Sequence, residues 1–275
     1  MRMRGRLLVS SLLFAACSAV LALETREAHG APPWVDRHLT LPGGDWAFDF
    51  GLGIGHESPG PVPDVTGVGI NAEMAVGLTD RVELGVRTGL RFGDRGERGV
   101  EADLYGRLFD RQYFDGDGGV MANPEVRVRG ALVRGSVFEL ALEGRLIVPV
   151  EGNTAGALFG VPLMFHLGNR VRLDTGGFTP IIFGNDAVQT RVDIRLPLDV
   201  WIQASPRLWL GPMTGVVFSD VGRPPARADL SLGFGLGYQI THYLDFKAML
   251  LFPEVTNPNF GPPFGVGAGV EIRIE

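Results

Sequence analysis

The sequence predicts an all-β fold: a closed antiparallel transmembrane β-barrel of about 12 strands, with short periplasmic turns and longer outer loops. Three observations lead there. First, from about Trp46 to the end of the chain, large apolar side chains alternate with small or polar ones, most clearly in Trp46-Ala47-Phe48-Asp49-Phe50-Gly51-Leu52-Gly53-Ile54-Gly55. A period of two describes a strand with one apolar and one polar face. Second, the pattern recurs about a dozen times with no helical domain to cover the apolar faces, and the opposite faces are filled with Gly, Arg, Asp and Glu. Third, the connections between these segments alternate between short and long.

The chain begins with a positive stretch, Arg2, Arg4 and Arg6, followed by an apolar run from Leu7 to Leu23 and then a polar segment. That order is the order of a secretory signal peptide, expected over residues 1–30 with cleavage after Ala28-His29-Gly30. A lipoprotein reading competes with it, because Phe14-Ala15-Ala16-Cys17 has the form of a lipobox; the apolar run, however, continues past Cys17. Under the first reading the only cysteine is lost on export, which leaves neither disulfides nor a thiolate metal site. Residues 31–44, with Pro32, Pro33, Pro42, Gly43 and Gly44, are expected to be a periplasmic lead-in.

Twelve strands follow, at about 45–55, 66–78, 82–92, 122–132, 137–149, 156–166, 170–182, 189–203, 208–218, 229–240, 244–252 and 264–274. Each is near the length that crosses a bilayer when tilted. Short turns fall at Thr79-Asp80-Arg81, at 133–136, at Leu167-Gly168-Asn169, at 204–207 and at Thr241-His242-Tyr243. Longer Gly-, Pro- and Asp-rich loops fall at 56–65, 93–121, 150–155, 183–188, 219–228 and 253–263. This parity places both chain ends in the periplasm. Residues 100–108 are assigned to the long third loop, since counting them as a strand breaks the parity; fourteen strands would require a second one besides. Pro149, Pro162, Pro180, Pro197 and Pro212 lie in or at the ends of strands, where a missing N–H interrupts the ladder, so bulges or strand ends are expected there.

The hairpin Gly77-Leu78-Thr79-Asp80-Arg81-Val82-Glu83-Leu84-Gly85-Val86 resembles the strand–turn–strand unit repeated in bacterial outer-membrane β-barrel proteins, and Ser205-Pro206-Arg207 followed by Leu208-Trp209-Leu210-Gly211-Pro212 repeats the idea. The resemblance covers roughly 45–275 at the level of architecture. It implies outer-membrane lipid and the barrel-insertion machinery as partners. The chain closes on the alternating Val266–Glu275 stretch, without the terminal aromatic residue such proteins typically carry.

The phase of the alternation assigns side chains to faces. Phe48, Phe50, Leu52, Ile70, Met74, Leu84, Val86, Leu232, Phe234, Val266 and Val270 are expected to face lipid. Trp46, Tyr238 and Tyr243 fall near one rim, and Phe92, Phe218, Phe252 and Phe264 near the other, where aromatic girdles belong. The lumen-lining face carries Asp49, Glu73, Glu83, Arg87, Arg91, Glu125, Arg127, Arg129, Glu139, Glu143, Arg145, Arg172, Asp174, Arg191, Asp193, Arg195, Asp199, Lys247, Glu271 and Arg273. With Arg170, Arg207, Asp229 and Asp245 the face holds twelve acids and twelve bases. At mid-membrane each base facing lipid would cost about 2–4 kcal/mol, so these side chains must face water or one another. Such balance points to cross-strand ion pairs and weak ion selectivity. Trp201 and Trp209 have two readings: inward by phase, narrowing the periplasmic mouth, or turned into the girdle by a bulge near Pro206.

The net charge of -6 gives nucleic-acid binding no electrostatic footing. His38, His56, His166 and His242 are scattered without ligand spacing, and the glycines alternate within strands instead of opening a helix, so neither a metal site nor a cofactor is expected. His56-Glu57-Ser58 is similar to the His-x-Ser pair of outer-membrane phospholipases but lacks an identifiable orienting group. The expectation is therefore a non-enzymatic barrel: a passive channel or small-solute transporter, or alternatively a non-conducting structural or adhesion barrel acting through its outer loops.

Overall fold

A computed structural model describes residues 32–58, 65–93, 120–150, 154–184, 189–221, 227–256 and 261–275. The signal-peptide reading of 1–30 and almost all of the 93–121 loop lie outside the described residues.

The strands run in chain order as β1 (Trp46–Ser58), β2 (Val65–Thr79), β3 (Val82–Gly93), β4 (Glu125–Arg134), β5 (Phe138–Ile147), β6 (Gly156–Leu167), β7 (Val171–Ile182), β8 (Arg191–Val192), β9 (Ile194–Gln203), β10 (Leu208–Ser219), β11 (Arg227–Thr241), β12 (Leu244–Phe252) and β13 (Gly261–Ile274). Apart from the short β8, neighbours in sequence pair antiparallel, β7 with β9 included, and β1 pairs with β13, which closes the sheet. The short β8 is the leading end of β9, interrupted at Asp193; both pair with β7. The result is a closed twelve-stranded antiparallel barrel with one extra short strand, and a closed barrel has no unpaired edge.

Alternation sets the two faces. Along β4 and β5 every second residue is buried, with Val128, Leu132, Leu142 and Leu146 outside and Arg127, Arg129, Glu143 and Arg145 inside. The exterior is apolar: Leu146 and Phe159 are each 63% exposed, and Phe50, Leu52, Ile70, Met74, Val86, Leu232, Phe234 and Val266 are exposed with them. In a soluble protein these would form a core. Here they form the outer surface while the charges are inside, the arrangement that a bilayer rewards.

Proline acts locally, as its missing donor requires. Pairing between β9 and β10 lapses where Gly211 and Pro212 face Val200 and Trp201, and pairing between β7 and β9 lapses at Gly176 and Gly177, beside Pro197. Pro149 lies beyond the end of β5.

Candidate functional site in the barrel interior

Strand register builds the interior. Directly opposed residues include Glu73 and Arg87, Glu83 and Arg129, Arg87 and Glu125, and Arg129 and Glu143. Arg87 bonds Glu73 at 3.1 Å, and Arg127 reaches both Glu73 (2.7 Å) and Glu83 (2.8 Å). Glu143 accepts from Arg129 at 2.7 Å and from Arg145 at 2.6 Å, and Arg145 also reaches Glu125 at 3.1 Å. All eight groups are buried. Arg127 and Arg145 sit directly opposite each other, yet carboxylates lie on either side of both, so the like-charge pair is tolerated.

A second group forms on the seam. Asp49 lies between Glu73 and Glu271 in register, which gathers three acids on adjacent strands. Lys247, the only lysine of the chain, bridges Asp49 and Glu271, and Arg273 adds a bond to Glu271 at 2.7 Å. On the far wall Arg172 pairs with Asp174 at 2.6 Å, and Asp193 forms ion pairs with Arg191 (3.3 Å) and, more loosely, Arg195 (3.8 Å).

The segment expected as a periplasmic lead-in does not stay outside the wall. From Trp34 to Leu41 it packs inside the barrel, at the end with the short turns. A one-turn 3-10 helix, Trp34–Asp36, starts it. Trp34 is fully buried, stacked on Trp209 (ring centroids 5.0 Å apart, planes 2° apart) and edge-on to Trp201 (6.0 Å, 77°). Arg172 lies over the Trp34 ring at 4.8 Å. The two indoles of the wall thus point inward, and glycine makes their room: a Cβ at Gly237 would lie 2.1 Å from the Trp209 ring, and one at Gly235 2.6 Å from Trp201.

The wall also satisfies the backbone of this segment. Its N–H groups find acceptors at Gln203 (from Val35, 3.4 Å), Glu139 (from Leu39, 3.0 Å) and Glu83 (from Leu41, 2.9 Å). Its carbonyls accept from Arg172 (Trp34, 2.9 Å) and Arg129 (Leu39, 3.0 Å). Arg37 is buried and pairs with Asp245. These bonds replace the water that an extended strand would otherwise need, which is why a non-regular segment can lie in a barrel interior. The turn Pro42–Asp45, with Gly44 at φ +95 and a bond from Asp45 N–H to the Pro42 carbonyl (3.1 Å), then redirects the chain into β1.

Beyond the segment lies a cavity of about 160 Å³, bounded by Leu39, Arg129, Phe178, Arg195, Asp199 and Met213 among others. Its wall is the proline-interrupted side of the barrel.

Of the residues assigned to the lumen face, Asp49, Glu73, Glu83, Arg87, Glu125, Arg127, Arg129, Glu139, Glu143, Arg145, Arg172, Asp193, Lys247 and Glu271 are buried. Arg91, Asp174, Arg195, Asp199 and Arg273 are half-buried, and Arg191 is exposed. Arg170 and Arg207 do not belong with them: both are exposed in turns, where the two-residue period has ended. His56 bonds Thr66 at 2.9 Å near the outer end of β1. The Ser58 side chain lies outside the described residues. Sequence spacing separated His38, Glu139 and His166, but the fold brings them together.

No protein-family model and no curated protein matches the sequence. Solved structures do match the fold. An outer membrane channel from Pseudomonas putida F1 superposes with a TM-score of 0.61 at 13% identity, covering 86% of this chain and 97% of that one. The NanC porin gives 0.56 at 8% identity over 82% and 100% of the two chains. The translocator domain of the autotransporter NalP from Neisseria meningitidis gives 0.52 at 9% over 85% and 90%. The chain therefore has the fold of bacterial outer-membrane β-barrels.

Proposed function

We propose that the protein is a passive channel for small solutes in the outer membrane of a Gram-negative-type bacterium, reached by export through a cleaved signal peptide, and that its N-terminal segment sets the constriction. One observation supports this above the others: the interior is polar and holds a cavity, and the side of that cavity toward the short turns is formed in part by Leu39 of an irregular segment that belongs to no strand of the wall. A cavity of about 160 Å³ holds on the order of five waters at liquid density. On this reading, solutes too large for that space pass only when the segment shifts. The charges around it are paired in both signs, so strong ion selectivity is not expected. No catalytic role is proposed.

A second reading rests on the same segment. Its backbone is well satisfied by the wall, and this favours a non-conducting structural or adhesion barrel that acts through its outer loops. Single-channel recording on refolded protein in planar bilayers separates the two. The channel reading expects small conductance from the full chain, a larger value from a variant lacking residues 32–41 or from Trp34→Ala, and a reversal potential near zero in a salt gradient. Silence from the full chain and from both variants at every voltage would leave only the structural barrel.

A further inference from the structure

The junction between the N-terminal segment and the wall holds three chemistry-bearing side chains that the channel reading does not use. Among the described residues, His38 of the segment, Glu139 of β5 and His166 of β6 place one nitrogen or oxygen each within 4.8 Å of the others. His38 Nδ1 and His166 Nε2 both face the same carboxylate oxygen, Glu139 Oε1, the latter at 3.1 Å. Glu139 Oε2 is occupied by the Leu39 N–H at 3.0 Å.

The other side of the His166 ring decides what this means. Its Nδ1 lies 2.7 Å from the Val35 carbonyl. A carbonyl only accepts, so Nδ1 carries the proton and neutral His166 presents the lone pair of Nε2 to Glu139. A lone pair facing a carboxylate oxygen requires a cation between them, either a second proton on the ring or a metal ion. An imidazole whose far N–H is fixed by a backbone carbonyl, with its lone pair aimed at a carboxylate and a second imidazole, has the orientation of a metal ligand held by its outer hydrogen bond. We propose that His38, Glu139 and His166 form a binding site for a divalent first-row transition-metal ion of the zinc type, which fastens the N-terminal segment to the barrel wall.

The chemistry of the set matches that class. Two imidazole nitrogens and one carboxylate oxygen suit zinc and its neighbours and not the hard cations, which take mostly oxygen. Around a tetrahedral zinc ion with bonds of about 2.0–2.1 Å, ligand atoms sit roughly 3.3–3.4 Å apart. His166 Nε2 and Glu139 Oε1 already stand 3.1 Å apart, and all three ligand atoms lie within 4.8 Å of one another. Access is available: the His38 side chain is 37% exposed, whereas Glu139 is fully buried. One ligand comes from the segment and two from adjacent strands, so occupancy ties the segment to the wall.

Titration of tag-free refolded protein with Co²⁺, read by its visible ligand-field absorption, tests the site. Saturation at one equivalent is expected, with displacement by Zn²⁺. His38→Ala and His166→Ala should each weaken binding by at least roughly tenfold, as should Glu139→Gln, which keeps an oxygen for the Leu39 N–H. His242→Ala, in a turn elsewhere, should leave it unchanged. Absence of saturable one-equivalent binding, or binding undiminished in both His38→Ala and His166→Ala, would overturn the proposal and leave a proton-bridged hydrogen-bond cluster. Binding is read without conductance, so a barrel that proves non-conducting leaves this result standing.

Discussion

Two walls of the same barrel are built on opposite plans. The wall from β2 to β5 pairs without a gap along its charged stretch, its register shifting only near the turns, at Gly77/Thr79 and Ala131/Val133, and its inward face is a network in which Glu73, Glu83, Glu125 and Glu143 meet Arg87, Arg127, Arg129 and Arg145. The wall from β7 to β10 is interrupted at Gly176 and Gly177 and again at Gly211 and Pro212, carries fewer ion pairs among the described residues, and borders the cavity. The strands of both walls alternate with the same two-residue period. The difference lies in what the inward positions hold: where they alternate acid and base the interior fills itself, and where they hold Pro, Gly, Phe and Met space remains. The first wall fills the interior beside it and the second leaves a cavity.

That contrast is breakable. The largest effect is expected from Glu143→Ala, which takes one acceptor from both Arg129 and Arg145 in a buried setting. Removing one member of a buried ion network costs about 3–5 kcal/mol, and the urea midpoint of the folded, heat-modifiable form should fall accordingly. Asp199→Asn on the other wall should move that midpoint far less; equal losses would show that the walls are energetically alike.

Trp34→Ala comes next. It removes the indole that stacks on Trp209, with a cost of about 3 kcal/mol to the seated segment. Two orders of magnitude in the seated-to-released ratio correspond to that figure. The measurement is open probability in planar bilayers, together with the emission shift of Trp201 and Trp209 as they gain water. A barrel that unfolds instead of opening would mean that the segment belongs to the stability of the wall.

The smallest stability change is expected from Val217→Trp, which points a large side chain into the cavity from β10. Filling space of this kind should change the unfolding free energy by about 1 kcal/mol or less while lowering conductance. Unchanged conductance would place the route elsewhere in the interior.

Much of this was legible in the residues. Twelve strand segments were readable because one face must be apolar and the other polar, so a slip of one residue would invert every side chain. Strand 189–203 contains the break at Asp193, which the pattern does not mark. The phase also placed Glu83, Arg127, Arg129 and Glu143 on one face. It failed at Arg170 and Arg207, where turns suspend the period. Trp201 and Trp209 were undecidable from phase alone, because a single bulge reverses it; their partner Trp34 settles them, and it lies more than 160 residues away in the chain.

The sequence by itself determined the barrel, its closure and the side on which the charges lie, since those follow from a local period and from the cost of placing charge in lipid. Only the tertiary structure decided that residues 34–41 return into the interior and that His38 meets Glu139 and His166. A short Pro- and Gly-flanked segment has no period to read. Its position is set by groups distant in sequence, the acceptors of Glu83, Glu139 and Gln203 and the donors of Arg129 and Arg172, which converge only after the barrel has closed.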